Sequence, residues 1–415
     1  MVLGQIARAD DLPPVSGITI ERAVELAATR NERAAIADLN VVVADAAVIK
    51  ARAAFLPIVN GRADGNLRPW DKTVTSADAT LTVNQPIFVP TAFPLYDQAK
   101  HSLVGQREQT IDDKRVLGFD TAHAYLAVLL ANEVLEAAQK KLATAQHDFK
   151  DATAQFNAQI ASNNDVSRTQ IELNDAQREI EQDKGALEAA YVQLEFLCNA
   201  HVTREIAQPT ALLGAAAVSP GSGADLVKSA IVHRPDLAAR RDVALAAHDF
   251  AREPHLRFVP TLAASGAINA ATTGEPDNHD VDAVLGLTLN WSIFDGRARD
   301  ADEQSRGAQA AVADLTADAL ARSIEAQILS SLAQLVAAQG ELTAARDTAT
   351  AAEHSATETA LLYRENLAKA IELVDANEQR FEADVSLAQA QDTAANAYLA
   401  LRQALGLDAI GTELK

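Results

Sequence analysis

Two eight-residue stretches, LTVNQPIF at 81–88 and LTLNWSIF at 287–294, repeat almost letter for letter at a distance of 206 residues. Each alternates apolar and polar residues as a strand does, and each runs into a long Ala-rich stretch of helical periodicity. The repeat reaches well beyond eight letters. FLP at 55–57 maps to FVP at 258–260 with an offset of 203, and Phe156, Tyr191 and Leu194 map to Tyr363, Tyr398 and Leu401 at 207. Offsets that drift by only four residues over half a chain mean a duplicated unit: helix, strand, strand, long helix, shorter helix. Such a repeat constrains the fold more than any local propensity.

On this reading residues 1–17 are an N-terminal arm, 18–208 the first repeat, 209–223 a linker, 224–408 the second repeat and 409–415 a tail. Strands are expected at about 56–66, 78–90, 258–271 and 281–294, and helices at about 18–54, 97–157, 165–199, 224–253, 297–363 and 372–406. Helices of 60 to 70 residues would be roughly 90 to 100 Å long at about 1.5 Å per residue. The two half-length helices of the first repeat, stacked end to end, would match one of them. In the arm, Ala7-Arg8-Ala9 before Asp10 fits the small-x-small pattern of a signal-peptide cleavage site. It reads either as the remnant of an export signal or as a chance alignment of small residues.

Composition narrows the class. Aromatic residues make up 4% of the chain, Met occurs once, and Ala fills the apolar positions, which suits helices packed close together. A net charge of −21 disfavours nucleic acid, whose phosphates need clustered Lys and Arg, and fits a solvated surface or an acid-lined lumen. The single Cys198 forms no intrachain disulfide and reads as a small residue packed in a helix. No window of 18 consecutive apolar residues marks a membrane-spanning helix. The nine His residues are scattered, and no nucleophile elbow, phosphate loop or metal-ligand spacing occurs. No enzyme, cofactor or metal is expected. Carboxylates three apart are common on the helices and are expected on solvated faces.

In 281–294, Leu285, Leu287, Leu289, Trp291 and Ile293 face one side, and Gly286, Thr288, Asn290 and Ser292 the other; in 80–87, Leu81, Val83 and Ile87 oppose Thr80, Thr82 and Asn84. A half-buried soluble sheet would need a core, and the rest of the chain is long helices that must pack on one another. A membrane β-barrel needs strands of about 9 to 11 residues, apolar outward and polar inward. Phe55, Phe88, Phe258, Trp291 and Phe294 lie near the helix ends of the strands, where interfacial aromatics would sit. Four strands cannot close a channel, so a barrel must be shared between copies of the chain.

The duplication, FLP and FVP, LTVNQPIF and LTLNWSIFDG, the HRPDL segment and YRENLAKAIELVDA together resemble the TolC-like outer-membrane efflux and secretion channels of Gram-negative bacteria. The resemblance covers nearly the whole chain. It implies a mainly α fold with a small β part: a trimeric 12-stranded membrane barrel, four strands per chain, on a long periplasmic α-helical barrel. It implies a passive duct in the outer membrane, in contact with its lipid, driven by an inner-membrane transporter of RND, ABC or MFS type through a periplasmic adaptor. The acids of the family's closed aperture match Asp165, Glu372 and Asp375, where three copies would form cation-attracting rings; otherwise these acids serve only their helix N-termini. Tyr363 matches a latch tyrosine, but Ala368 stands where the family's latch arginine would be, so the usual latch is in doubt. The turns that would meet the adaptor are Gln159, Ile160 and Ala161, and Asn366, Leu367 and Ala368, with Gln159 and Asn366 where the family often has Gly.

The expected function is efflux of small toxic compounds (drugs, solvents or metal ions). Within the family, export of proteins by a type I system is the alternative. From another class, a soluble acidic helical scaffold remains.

Overall fold

The structure, a computed structural model, describes residues 17–67, 75–218, 221–272 and 279–411. The Ala7–Asp10 motif, most of the N-terminal arm and the two strand-to-strand loops lie outside the described residues. In chain order the elements are α1 (Ile20–Arg30), α2 (Glu32–Arg52), β1 (Ile58–Leu67), β2 (Thr75–Phe88), α3 (Ala92–Asn157), α4 (Asn163–Cys198), α5 (Thr210–Ala216), α6 (Gly223–His233), α7 (Pro235–Leu256), β3 (Thr261–Thr272), β4 (His279–Asn290), α8 (Ala298–Arg364) and α9 (Ala370–Ala404). Among the described residues no helix is long and apolar enough to cross a membrane.

Several boundaries differ from the sequence reading. The helix expected over 18–54 breaks at Asn31, and that over 224–253 breaks at Arg234, ahead of Pro235; a residue before proline is pushed out of the helical region. The 209–223 segment carries the one short helix α5. The strand expected to reach 294 stops at Asn290, because the chain turns into α8 through two left-handed residues, Gly296 and Arg297 (both φ 71°).

The chain divides into two compact units. One comprises Met1–Ala37, Ile111–Arg234 and Arg322–Lys415, the other Asp38–Thr110 and Pro235–Ala321. Each takes pieces from both sequence repeats.

The first unit is helical. Its main core gathers Leu117, Phe119, Tyr125, Tyr191, Leu194 and Leu399, filled in with Ala. The Tyr125 hydroxyl lies 2.9 Å from the Ile18 carbonyl and 2.5 Å from that of Ala207, which fastens the isolated bridge between Ile18 and Ile206. Burial pushes that phenol up to about 12, so it stays a donor. Cys198 is buried with its Sγ 3.6 Å from the Ala23 carbonyl, and burial holds its thiol up at about 12 as well. Farther along α3, the buried Lys141 ammonium meets Glu172 and Glu179 of α4 and Glu378 of α9, with the Phe381 ring 4.4 Å away. A cation at that depth is tolerated only because carboxylates surround it.

The helix breaks have a purpose that both repeats share. Asn31 donates to the Leu197 carbonyl at the end of α4, and the left-handed Asn199 (φ 44°) returns a bond to Arg30. In the second repeat the Arg234 guanidinium donates to the Ala404 carbonyl at the end of α9, followed by left-handed Gly406 (φ 78°). Orphan carbonyls at two helix ends are thus satisfied by two different side chains at matching places.

The second unit holds the sheet, a four-stranded antiparallel one in the order β1-β2-β3-β4. The two hairpins join through β2 and β3, with Leu81 opposite Ile268. Below the sheet, α3 and α7 approach closely at Gly105, where a Cβ would stand 3.1 Å from the Ala239 carbonyl. The buried Glu253 of α7 accepts two bonds from Arg257 and one from Arg306 of α8.

Gly406→Ala should lower the thermal unfolding midpoint. A side chain there would adopt a left-handed backbone costing of order 1–3 kcal/mol, with its Cβ 2.7 Å from Arg234 Cγ. An unchanged midpoint would show that the Arg234 seat is not needed.

Candidate functional site

The sheet offers two unlike faces. Residues directly opposite in the register share a face, so Val59, Val83, Gly266 and Leu285 form one row, Gly61, Leu81, Ile268 and Ala283 the next, and Ala63, Ala79, Ala270 and Val281 a third. The β4 members of this apolar face are among the most exposed large side chains of the chain, Leu285 at 90%. On the reverse, Arg62, Thr80, Asn269 and Asp282 form one row and Asp64, Asp78, Ala271 and Asp280 another. Arg62 pairs with Asp64, and Asn269 donates to Asp282 at 2.9 Å. One edge of the sheet is β1 and the other β4; the outer side of neither pairs with a further strand among the described residues.

The register slips between Pro86 and Phe88, and Phe88 stands opposite Leu262, which is opposite Leu289. Sequence alternation assigned Ile87 to the apolar side; the extra residue hands that place to Phe88. All the aromatic residues singled out lie at one end of the sheet. Phe55 stacks 5.1 Å from Phe93, Trp291 donates to the Phe258 carbonyl at 3.0 Å, and Arg299 covers the Phe258 ring at 4.6 Å. Phe88, Phe258, Trp291 and Phe294 are exposed.

The second candidate lies in the helical unit, where α3 turns into α4 and α8 into α9. The two turns have the same bond pattern 207 residues apart. Gln159 and Asn366 are both left-handed at φ 60°. Ile160 N donates to the Gln155 carbonyl, and Leu367 N to that of Leu362. Ile160 and Leu367 stand exposed, while Ala161 and Ala368 are half-buried, Ala368 against Tyr363. Asp165 accepts from the Ser162 backbone (3.0 Å) and hydroxyl (2.7 Å), and Glu372 from the Lys369 backbone (3.1 Å). Both acids therefore close the first turn of their helices. Glu372 and Asp375 are both exposed, and neither hydrogen-bonds to the other or to Asp165 among the described residues.

Tyr363 is buried against Ala370 and Leu373, and its hydroxyl has no partner among the described residues. Burial first, then the charges of Asp165, Asp148 and Asp151, raise its pKa. Position 368 of the turn is Ala, and no arginine bonds to the Tyr363 hydroxyl among the described residues.

The structure brings in residues that the sequence reading left on a solvated face. Asp148 is largely buried, accepts from Asn377 of α9 at 2.7 Å, and lines a cleft of about 430 Å³ with Thr144, His147, Arg364 and Arg380. Arg380 donates to Thr144 at 3.0 Å. Asp148 and Asp151 form one of the many carboxylate pairs three apart, and nothing in their spacing marks burial. Asp64, Asp78, Asp280 and Asp282 were likewise not singled out; only the strand register reveals that they share a face.

Burial raises the carboxyls of Asp148, Glu172, Asp183 and Asp392 from their ordinary values, against the lowering effects of His147, Lys141 and Asn396 where these are near. A carboxyl whose folded pKa is raised binds its proton more readily in the native state, so stability rises as pH falls toward the raised values. The thermal midpoint should therefore increase from pH 7 to pH 5 (about the upper edge of the carboxylate range). Asp148→Asn should raise the midpoint at pH 7 and flatten the slope; a slope unaffected by that substitution would exclude Asp148 as a contributor.

The sequence profile of the outer membrane efflux protein family matches the chain twice, over residues 23–200 and 226–407. The two matches start 203 residues apart and end 207 apart, the same drift that the internal repeat shows. Solved structures share the fold at low identity. The CmeC outer membrane channel of Campylobacter jejuni is similar at 14% identity and TM-score 0.78, over 93% of this chain and 85% of that one. VceC of Vibrio cholerae is similar at 16% and 0.76, over 94% and 97%. The MtrE outer membrane channel of Neisseria gonorrhoeae, solved in its open state, is similar at 16% and 0.79, over 93% and 88%. Among curated proteins none matches the chain.

Proposed function

The chain belongs to the outer membrane efflux protein family, and from that premise we propose that it is the passive exit duct of a tripartite export system for small toxic compounds. It is an outer-membrane protein with a large periplasmic helical part. The observation that carries the proposal is the sheet with one exposed apolar face, one polar face and two unpaired edges. Unpaired backbone groups cannot sit in hydrocarbon, so three copies close a 12-stranded barrel with Leu285 and Leu287 toward lipid and Asp78, Asp280 and Asp282 toward the lumen. Phe88, Phe258, Trp291 and Phe294 then anchor the periplasmic interface.

In this scheme the two helical turns form the adaptor-facing mouth of the duct. Ile160 and Leu367, exposed on backbones of the same shape, are the contact points for a periplasmic adaptor, with Gln159, Ala161, Asn366 and Ala368 around them. The adaptor links the duct to an inner-membrane transporter, which supplies the energy; the duct has no catalytic residue in this scheme. Asp165, Glu372 and Asp375 from three copies ring the aperture and favour cations. Capping does not oppose this role, because the cap bonds fall on one oxygen of each carboxylate. Tyr363 holds the closed turn by packing rather than by an arginine-assisted bond.

Two measurements test the scheme. The full chain should extract from the outer membrane only with detergent and run as a trimer that heating dissociates; a monodisperse, detergent-free monomer would exclude the duct. In planar bilayers, Glu372→Ala with Asp375→Ala should reduce cation preference several-fold and relieve block by multivalent cations. Unchanged selectivity would take both residues out of the pore.

A further inference from the structure

The duplication lets contacts inside one chain foretell contacts between chains. Within the helical unit α3 packs on α9. Arg115 of α3, 4% exposed, donates to the carbonyls of Gln403 (2.9 Å) and Leu407 (3.4 Å) at the end of α9. Lower on the same seam His123 meets Asn396 at 2.6 Å. The 207-residue offset carries α3 onto α8 and α4 onto α9, and it maps buried Leu117 and Val128 onto buried Ile324 and Leu335.

On the opposite face the two halves part company. Arg322, the counterpart of Arg115, is exposed and has no hydrogen bond or ion pair among the described residues. Leu329 (48% exposed) and Val336 (54%) are counterparts of buried Ala122 and Leu129, and Val192 of α4 (61%) is the counterpart of fully buried Leu399. At the end of α4 the Phe196 carbonyl, counterpart of the Gln403 carbonyl, accepts no hydrogen bond among the described residues. An unpaired guanidinium and an orphan carbonyl thus stand at the two positions that meet in the other half.

We infer that α8 of one copy docks on α4 of the next in the same register as α3 on α9, with Arg322 donating to the carbonyl of Phe196 in the next copy. Leu329 and Val336 then cover Val192. Each chain carries one filled and one open seam of this kind, so copies join head to tail and the ring closes when the last α8 meets the first α4. The inference rests on the trimer reading above and adds to it the register and the anchoring residue.

A cysteine pair reads the register. In a Cys198→Ala chain, Ser330→Cys with Ala189→Cys places thiols at the counterparts of His123 and Asn396, both at exposed positions. Oxidised with copper–phenanthroline in detergent-extracted membranes, this chain should give a ladder ending in covalent trimer that collapses on reduction. Ser330→Cys with Asp175→Cys, about 21 Å farther along α4, should give none. A heat-labile trimer without the first ladder, or with both, overturns the register while leaving the duct intact; absence of any trimer overturns both. Independently, Arg322→Ala should lower the temperature at which the trimer dissociates by several degrees, whereas Arg346→Ala, an exposed arginine of the same helix, should not. Equal effects would remove Arg322 from the seam.

Discussion

Backbone hydrogen bonding is the constraint on which everything else hangs. A sheet of four strands has two open edges, and its broader surface is apolar on one side and rich in Asp, Asn and Thr on the other. In water such a sheet would hide its apolar face, and in lipid it must hide its edges. Sharing the sheet among copies meets both demands at once. The helices that leave the strands must then stand side by side in a similarly shared arrangement, so close packing of small side chains becomes a necessity. The prevalence of Ala at buried positions and the scarcity of aromatic residues follow from that geometry.

A chain built this way has little interior in which to hold polar groups, and those it does bury are managed individually. Lys141 is matched by three carboxylates from two helices. Glu253 is matched by two arginines. Tyr191 and Tyr363 are different, since each hydroxyl is enclosed without an acceptor among the described residues. An unmet donor costs about 1–3 kcal/mol, and at Tyr363 that cost falls at the base of one turn.

Much of the fold was legible because duplication and alternation are long-range signals. LTVNQPIF and LTLNWSIF located two strands, and the 207-residue offset paired the long helices. What escaped depended on single side chains. The breaks at Asn31 and Arg234 exist because those residues reach the ends of other helices, which no local pattern encodes. Asp148 looks like any acid on a helix until α9 is laid against it. Asp165 and Glu372 could be read as pore acids or as helix-end acids, and the structure shows each closing the first turn of its helix. The arginine missing at position 368 was visible in the sequence, but the packing of Ala368 on Tyr363 was not.

The slip at Pro86–Phe88 has a bearing on how such a chain can change over generations. Alternation has a period of two, so one residue gained or lost within a strand exchanges every later side chain between oil and water. Strand length in this molecule can therefore drift freely only in pairs of residues. A single insertion survives where it can be taken up as a bulge beside the helix junction, the kind of irregularity present between Pro86 and Phe88, where an aromatic ring still reaches the apolar face.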